Sequence, residues 1–495
     1  MKVKLAGFNV DYEMLKMLSK GSKVNYPFTP EVFSAAYARI SRSPKSVTEL
    51  RNIAKKEIKK ARRSNRKIIF EMGHHSVAEH AVFNFDIMDI SRLMAEELEK
   101  YRLCSYTEKS QRYIKLTGNF VIPQEIAKGP YVDRFKKIIK RGIQFYHKLY
   151  KRIIDYGEKK LGHIPTKEEK KEIVLKANED ARYILSLSQK TQLGETINAR
   201  NLELILRRFA SHPLNEANEL GEKLFALVKK IAPSIILFYK ANDYDKKTYL
   251  ETEKLIARLR LKDESPTMGK DVVLVDFTKN ADIILLATII HSVSNISFKQ
   301  SLKTVKSMGA KKRKEIIKSV FKYLELYDTV LREFEYINLT FSLIVSASCF
   351  AQLKRHRQAT ITAQRYDPEL GVTIPKSVYE VGADNEFKEI IDMNNELFYK
   401  LQRRYPYASQ YVLTNAHRRR VLASMNAREL YHISRLREDE HAQWEIREKT
   451  KKMVALAKKV MPLTLLLIGG KDHYPELYKK LFGKYPRVIK PILPS

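Results

Sequence analysis

Apolar and polar positions follow two periods along this chain. Val3-Lys4-Leu5-Ala6-Gly7-Phe8 and Val272-Val273-Leu274-Val275-Asp276-Phe277 read as short strands, each opening a long helical stretch. Ile90, Leu93, Met94, Leu98 and Tyr101 recur at helical spacing and predict a helix running into Lys100-Tyr101-Arg102. A second helix is predicted through Val345, Cys349, Phe350 and Leu353 into Arg355-His356-Arg357, with Gln352, Arg355 and His356 expected on one face. The β-branched run Thr360-Ile361-Thr362 reads as extended chain. Further on, Asn426 is placed to cap a helix, with Glu429 three residues later as in a capping box. Along that helix Leu430, Ile433 and Arg437 share one face, while Arg428, His432 and Arg435 share another. Arg437 thus stands where the apolar stripe would continue. An inward guanidinium is costly unless it meets an anion or a partner, so the position points to a ligand or to an ion pair, for instance with Glu440.

The pattern is written twice. Ile122-Pro123 returns as Ile374-Pro375, Ala181-Arg182-Tyr183-Ile184-Leu185 as Ser409-Gln410-Tyr411-Val412-Leu413, and Asn198-Ala199-Arg200 as Asn426-Ala427-Arg428. Lys229-Lys230-Ile231-Ala232-Pro233 returns as Lys458-Lys459-Val460-Met461-Pro462. The order is kept throughout. The offset falls from 255 at Arg102 and Arg357 to 228 at Asn198 and Asn426, so the first copy carries about 27 extra residues, placed in the charged stretch Lys151 to Lys171. The fold class expected is α+β: two homologous domains, 1–245 and 265–495, each a sheet packed against long helices, joined by a polar linker at 246–264. At the position of Arg437 the first copy has Phe209.

Composition sharpens this picture by exclusion. The 495 residues hold 44% hydrophobic and 30% charged side chains, a globular balance that fits neither a disordered nor a fibrous chain. Two cysteines, Cys104 and Cys349, allow no disulfide framework or Cys-rich zinc site, and both read as buried inert thiols. No long apolar run or signal-peptide core stands out, so a cytoplasmic protein without a membrane partner is expected. With 92 Lys and Arg against 57 Asp and Glu, the formal charge of +35 raises phosphorylated ligands or nucleic acid as partners. Lys-rich runs such as Lys311-Lys312-Arg313-Lys314 also suit a solvated, heat-adapted surface. Gly73 to His80 invites a metal reading, but neither zinc-protease spacing is present.

Arg355-His356-Arg357 followed by Gln-Ala-Thr resembles the opening of the flavin-dependent thymidylate synthase signature, R-H-R-x-x-S-x-N-E-x-S-x-R-Y. The first copy is similar to its close, with Ser105, Glu108, Ser110, Arg112 and Tyr113 in register. Gly73 to His80 resembles the family's His/Ser/Glu-His segment. Met425 to Arg428 and His441 to Arg447 resemble its C-terminal block. Neither copy is complete. Lys100-Tyr101 replaces Arg-His and Glu97 replaces the upstream Gln in the first. The second lacks the Glu and the second Ser, and has Gln410 where the first keeps Arg182.

The resemblance implies reductive methylation of dUMP to dTMP, with methylenetetrahydrofolate giving the carbon and FAD, reduced by NADPH, giving the hydride. In the family a site is built at subunit contacts of a homotetramer, and the surviving residues are complementary. The second copy keeps Gln352, Arg355, His356, Arg357, Asn426, Arg428 and Arg437; the first keeps Glu108, Ser110, Arg112 and Arg182, with Ser76 nearby. Expected from this is one composite site between the two copies, and a homodimer imitating the tetramer. Substrate binding falls to Gln352, Arg355, Glu108, Ser110, Arg112, Arg182 and Arg437. Cofactor binding falls to Ser76, Glu108, Arg355, His356, Arg357, Asn426, Arg428 and His432, the last replacing a family Asn. Arg437 is the candidate catalytic group, a cation at the uracil carbonyl edge. Two other readings stay open: a non-catalytic flavin- or nucleotide-binding relative, and a charge-driven nucleic-acid binder, for which no aromatic-interleaved basic array is present.

Overall fold

The computed structural model describes residues 1–259, 261 and 270–489. Each copy folds its strands into a four-stranded antiparallel sheet. The first sheet contains β1 (Lys2–Phe8), β2 (Val82–Ser91), β3 (Ser105–Glu108) and β4 (Lys190–Asn198), in the order β1-β2-β4-β3. The second contains β5 (Val272–Phe277), β6 (Asn338–Ser346), β7 (Thr360–Ala363) and β8 (Arg418–Asn426), in the order β5-β6-β8-β7. The match extends to detail, since the register slips between Leu5 and Gly7 in β1 and between Leu274 and Asp276 in β5. The α+β architecture expected from the periodicity is therefore the one observed.

One difference between the sheets lies in β2, which slips against β4 between Met88 and Ile90; its Asp89 has φ 59°. β6 runs against β8 without a slip. Asp89 is a one-residue bulge, and it lowers the offset between copies from 256 at Val82 and Asn338 to 255 at Ser91 and Ser346.

By packing, residues 1–262 with 375–414 form one compact unit, and 263–374 with 415–495 the other. In the first unit, Phe83, Phe85 and Ile87 of β2 and Leu193 and Ile197 of β4 are buried, as are Leu202, Ile205, Leu206 and Phe209 of the helix Ala199–Phe209. In the second, Leu339, Phe341, Leu343 and Val345 of β6 share a core with Val421, Ala423 and Met425 of β8 and with Leu430 and Ile433. Alternate strand residues face these cores, each large apolar side chain contributing about 2 kcal/mol by burial.

The extra residues of the first copy lengthen one helix and add another. The helix Val132–Leu161 has 30 residues where its counterpart Asp384–Gln402 has 19, and it is followed by Lys167–Ala181, started by a Thr166–Glu169 capping box. A Cβ on Gly157 would lie 2.9 Å from Ile173 Cγ2, so glycine is what lets the two helices close on each other. The segment 375–414 belongs to the second copy by sequence and to the first unit by packing. Its helix Asp384–Gln402 runs antiparallel to Val132–Leu161, with ion pairs Arg134–Glu396 at 2.5 Å and Lys148–Glu386 at 2.7 Å. Ser186 forms a β-bridge with Thr414, its own counterpart at an offset of 228. A residue meeting its equivalent in this way is the mark of an isologous contact. Much of the segment expected to be a linker is helical, Asp243–Arg258, while 260 and 262–264 of it, and the first residues of the second copy to 269, lie outside the described residues.

Candidate active site

In the second unit the site is organised by two helix ends. Ser346 caps the helix Ala347–Leu353, its hydroxyl accepting from Cys349 N at 3.1 Å, and Glu445 receives both the Ser346 amide, at 3.1 Å, and its hydroxyl. The helix stops at Leu353, earlier than its apolar spacing suggested. Lys354 and Arg355 form a turn, so Gln352, Arg355 and His356 do not share a face. Gln352 and His356 are buried, whereas Arg355 and Arg357 are exposed.

The buried pair meets Arg437, the last residue of the helix Ala427–Arg437. Its Nε donates to His356 Nε2 at 2.9 Å; Nη1 and Nη2 donate to the side-chain and backbone oxygens of Gln352, both at 3.3 Å. Burial, together with the charges of Arg437, His432 and Arg355, pushes the His356 pKa well below its ordinary value. The ring is therefore neutral at physiological pH. Asn426 caps this helix as expected, accepting from Glu429 N at 2.8 Å, but the cap is one-sided: the Glu429 carboxylate lies 3.6 Å from His356 Nδ1.

Arg428 and Arg435, on the helix's other face, hold a loop. Arg428 donates to Val330 O at 2.9 Å, to Glu335 at 2.6 Å and to Thr329 at 3.1 Å. Arg435 donates to the carbonyls of Glu325, Leu326 and Asp328 and lies 4.7 Å from the Tyr474 ring centroid. Between these two positions His432 is exposed, its ring centroid 5.9 Å from that of His356.

The first unit gathers the complementary residues. β3 ends at Glu108, paired with Leu193, and the chain leaves the sheet through Lys109. Ser110 Oγ accepts from Arg112 N at 3.2 Å, pinning the turn. Arg112 Nε donates to Glu179 Oε2 at 2.6 Å and Arg182 Nε to the Glu179 carbonyl at 3.2 Å, so one glutamate holds both guanidiniums. Thr191 donates to Glu108 at 3.0 Å, and Arg92 lies 3.7 Å from the same carboxylate. Arg92 and Arg182 are only 3% and 4% exposed. Burial, then the charges of Arg112 and Arg92, lowers the Arg182 pKa, though Tyr183 and Glu179 oppose this. A cavity of about 410 Å³ opens on the sheet beside Glu108, lined by Asp86, Met88, Thr107, Gln192 and Gly194 among others.

Of the expected residues, Gln352, His356 and Arg437 form one bonded cluster, with Asn426 capping the helix that ends at Arg437. Arg355 and Arg357 stand exposed on the turn that also carries His356. Glu108, Ser110, Arg112 and Arg182 are strung on Arg92 and Glu179. Ser76 lies on the exposed 3₁₀ turn His75–His80. Arg92, Glu179 and Thr191 escaped the sequence reading. Comparing copies would have exposed Arg92, whose equivalent is Ala347. Cys104 and Cys349 are both buried, and among the described residues no group of three or more His, Cys, Asp or Glu could hold a metal ion. Among the described residues no helix is long and apolar enough to cross a membrane.

Two sheets of one topology, one bearing a guanidinium–imidazole cluster and the other two arginines held on one glutamate, define a duplicated α+β protein. The family model described as thymidylate synthase complementing protein matches residues 24–234 and again 273–463, and the chain belongs to that family. A flavin-dependent thymidylate synthase from Clostridium tetani is 30% identical over 43% of this chain and 84% of its own length. One from Pyrococcus furiosus is 35% identical over 27% of this chain and 49% of its own. The UPF0159 protein of Thermoplasma acidophilum is 21% identical over 80% of this chain and 86% of its own, a match that spans both copies. A solved UMP/dUMP methylase PolB from Streptomyces cacaoi, bound with 5-Br dUMP, matches 39% of this chain and 91% of its own at 16% identity and a TM-score of 0.31, too slight a likeness to carry an argument.

Proposed function

We propose that this protein is a flavin-dependent thymidylate synthase, converting dUMP to dTMP with methylenetetrahydrofolate as carbon donor and NADPH as reductant, and that the reaction draws on side chains of both copies. One observation carries the reading: each copy has lost part of the family's residue set, and each retains what the other lacks. Random decay of two redundant sites would not leave complementary halves. The isologous Ser186–Thr414 bridge supports descent from a two-fold contact between identical subunits. Pairing of two chains to imitate a four-subunit relative follows from the same idea, and sedimentation of the purified protein tests it.

The residues suit their assigned ligands. Arg112 and Arg182, both desolvated and sharing one glutamate, form a preorganised fork for a nucleotide phosphate, with the Ser110 hydroxyl beside them. Arg437 is held by His356 and Gln352 in a fixed pose, as a cation must be to stabilise charge at a uracil carbonyl. Exposed Arg355 and Arg357 suit the pyrophosphate of FAD. The flavin, when bound, supplies the hydride. The chain's own residues bind, orient and polarise.

A second reading, a flavin-binding relative without turnover, is favoured by the motif residues that each copy has dropped, Lys100-Tyr101 standing for Arg-His in the first and Gln410 standing where the first keeps Arg182 in the second. Purified protein carrying flavin and forming dTMP from dUMP, methylenetetrahydrofolate and NADPH establishes the first reading. Flavin and dUMP binding without product establishes the second.

A further inference from the structure

The helix Ala427–Arg437 carries a buried acid that the chemistry above does not use. Glu429 is 6% exposed, with Oε1 3.6 Å from His356 Nδ1, while His356 Nε2 lies 2.9 Å from Arg437 Nε. An arginine Nε always carries a hydrogen and cannot accept, so His356 Nε2 is the acceptor at that contact. The ring, 3% exposed and surrounded by cationic neighbours, is neutral and has one proton to place. That leaves Nδ1 to carry the proton; among the described residues it has no hydrogen-bond partner within ordinary distance, and the Glu429 carboxylate faces it at 3.6 Å. A carboxylate, an imidazole and a guanidinium thus stand in a line with one consistent direction of donation. In the first copy the equivalent positions are Asn201, Tyr101 and Phe209, which cannot form such a line.

We propose that Glu429 is a positioning residue: its carboxylate, 3.6 Å from Nδ1, favours the Nδ1–H tautomer by its charge, and through Nε2 the ring so fixed holds the Arg437 guanidinium in its working pose. A carboxylate that fixes an imidazole tautomer in order to aim the far nitrogen is a recurrent device of catalytic sites. The consequence for turnover rests on Arg437 acting at the substrate, as proposed above. The tautomer itself does not rest on that reading.

Two measurements test it, and they fail separately. The first is the ¹⁵N spectrum of full-length protein labelled at histidine, with His356 assigned through His356→Gln. The expected result is a protonated Nδ1 and an unprotonated Nε2; a proton on Nε2, or on both nitrogens, overturns the proposal whether or not the protein makes dTMP. The second compares Glu429→Gln with Glu429→Ala. Gln keeps the negative end of an amide dipole facing Nδ1 and is expected to retain the tautomer and turnover within a few-fold. Ala is expected to let the Nε2–H tautomer appear and to lower kcat for dTMP formation about 10- to 100-fold, with a smaller change in KM for dUMP and no loss of flavin. An Ala variant that keeps both tautomer and kcat removes Glu429 from the mechanism. Should that variant fail to fold, the wild-type spectrum and Glu429→Gln still decide.

Discussion

The ends of two equivalent helices show how one backbone can carry either a buried polar cluster or an aromatic plug. In the second copy the helix Ala347–Leu353 is followed by buried His356, and Gln352, His356 and Arg437 form a hydrogen-bonded cluster. In the first copy the same positions hold Glu97, Tyr101 and Phe209. The Tyr101 ring meets Phe209 edge-on at 6.0 Å, and Glu97 is bound to His212 at 3.0 Å and to Lys100. Phe209 is fully buried, and burial raises the Tyr101 pKa, so that end is sealed by packing. Both helices start alike: Ser91 and Ser346 cap them, and Glu216 and Glu445 grip those serines. The helix start is the same in both copies, and the side chains at its end are not.

The largest expected effect comes from breaking the complementarity. Arg437→Ala in the second copy and Arg182→Ala in the first are each expected to lower kcat/KM for dUMP by roughly 10²- to 10³-fold, the range for loss of one preorganised charge-stabilising donor. The mirror substitutions should do far less. Gln410→Ala, at the counterpart of Arg182, is expected to stay within about threefold in steady-state assays. If Arg182→Ala retains full turnover, the idea that both copies serve one reaction is wrong.

Much of this comparison was legible in the sequence, because it depends on local periodicity and on similarity between copies. The strands β1 and β5, the N-cap at Asn426, the odd placement of Arg437 and the extra residues after Tyr150 could all be read that way. What could not be read depends on neighbours distant in sequence. The helix ends at Leu353 because the turn that follows buries His356 against Arg437, 81 residues away. Arg92 joins Glu108 only through sheet pairing. The grouping of 375–414 with the first unit rests on helix packing and ion pairs that no single copy reveals. Asp89, a single inserted residue, moved the offset by one and was invisible without the register.

A stability difference between the sheets comes next in size. Glu195 lies on the core-facing side of β4, opposite Tyr106, where the second copy pairs Ala423 with Ile361. Burial pushes the Glu195 pKa up to about 8. A carboxyl with a raised folded pKa binds its proton more tightly when folded. Its contribution is thus full below the unfolded value near 4.3 and is lost as pH rises through about 8. Between those limits unfolding free energy is expected to fall by about 1.4 kcal/mol per pH unit from this group. Glu195→Ala, which copies the second sheet, is expected to flatten that slope in urea titrations from pH 5 to 9. An identical slope in both proteins would move the titrating group elsewhere.

Flavin content offers a smaller but direct reading. With Lys100-Tyr101 in place of Arg-His and an aromatic seal over the helix end, the first copy has no equivalent of the exposed Arg355 and buried His356 pair. Absorbance of the purified protein is expected to correspond to one flavin per chain. Two per chain would mean that the sealed end still opens to a ligand.

The smallest contrast is also the most controlled, because it compares one residue type at one position in the two copies. Arg200 pairs with Glu79 at 2.5 Å with both side chains about half exposed, and solvent and salt screen such a pair to well under about 1 kcal/mol. Arg428 pairs with Glu335 at 2.6 Å but also ties Val330 O and Thr329, so three contacts to one loop depend on a single guanidinium. Arg200→Ala is therefore expected to leave flavin retention unchanged and the melting temperature within a degree or two. Arg428→Ala should release the loop from Thr329 to Glu335 and lower flavin retention several-fold on gel filtration. Equal behaviour of the two variants would show that position 428 serves only its own loop, and that the cofactor is held by Arg355, Arg357 and the groups around them.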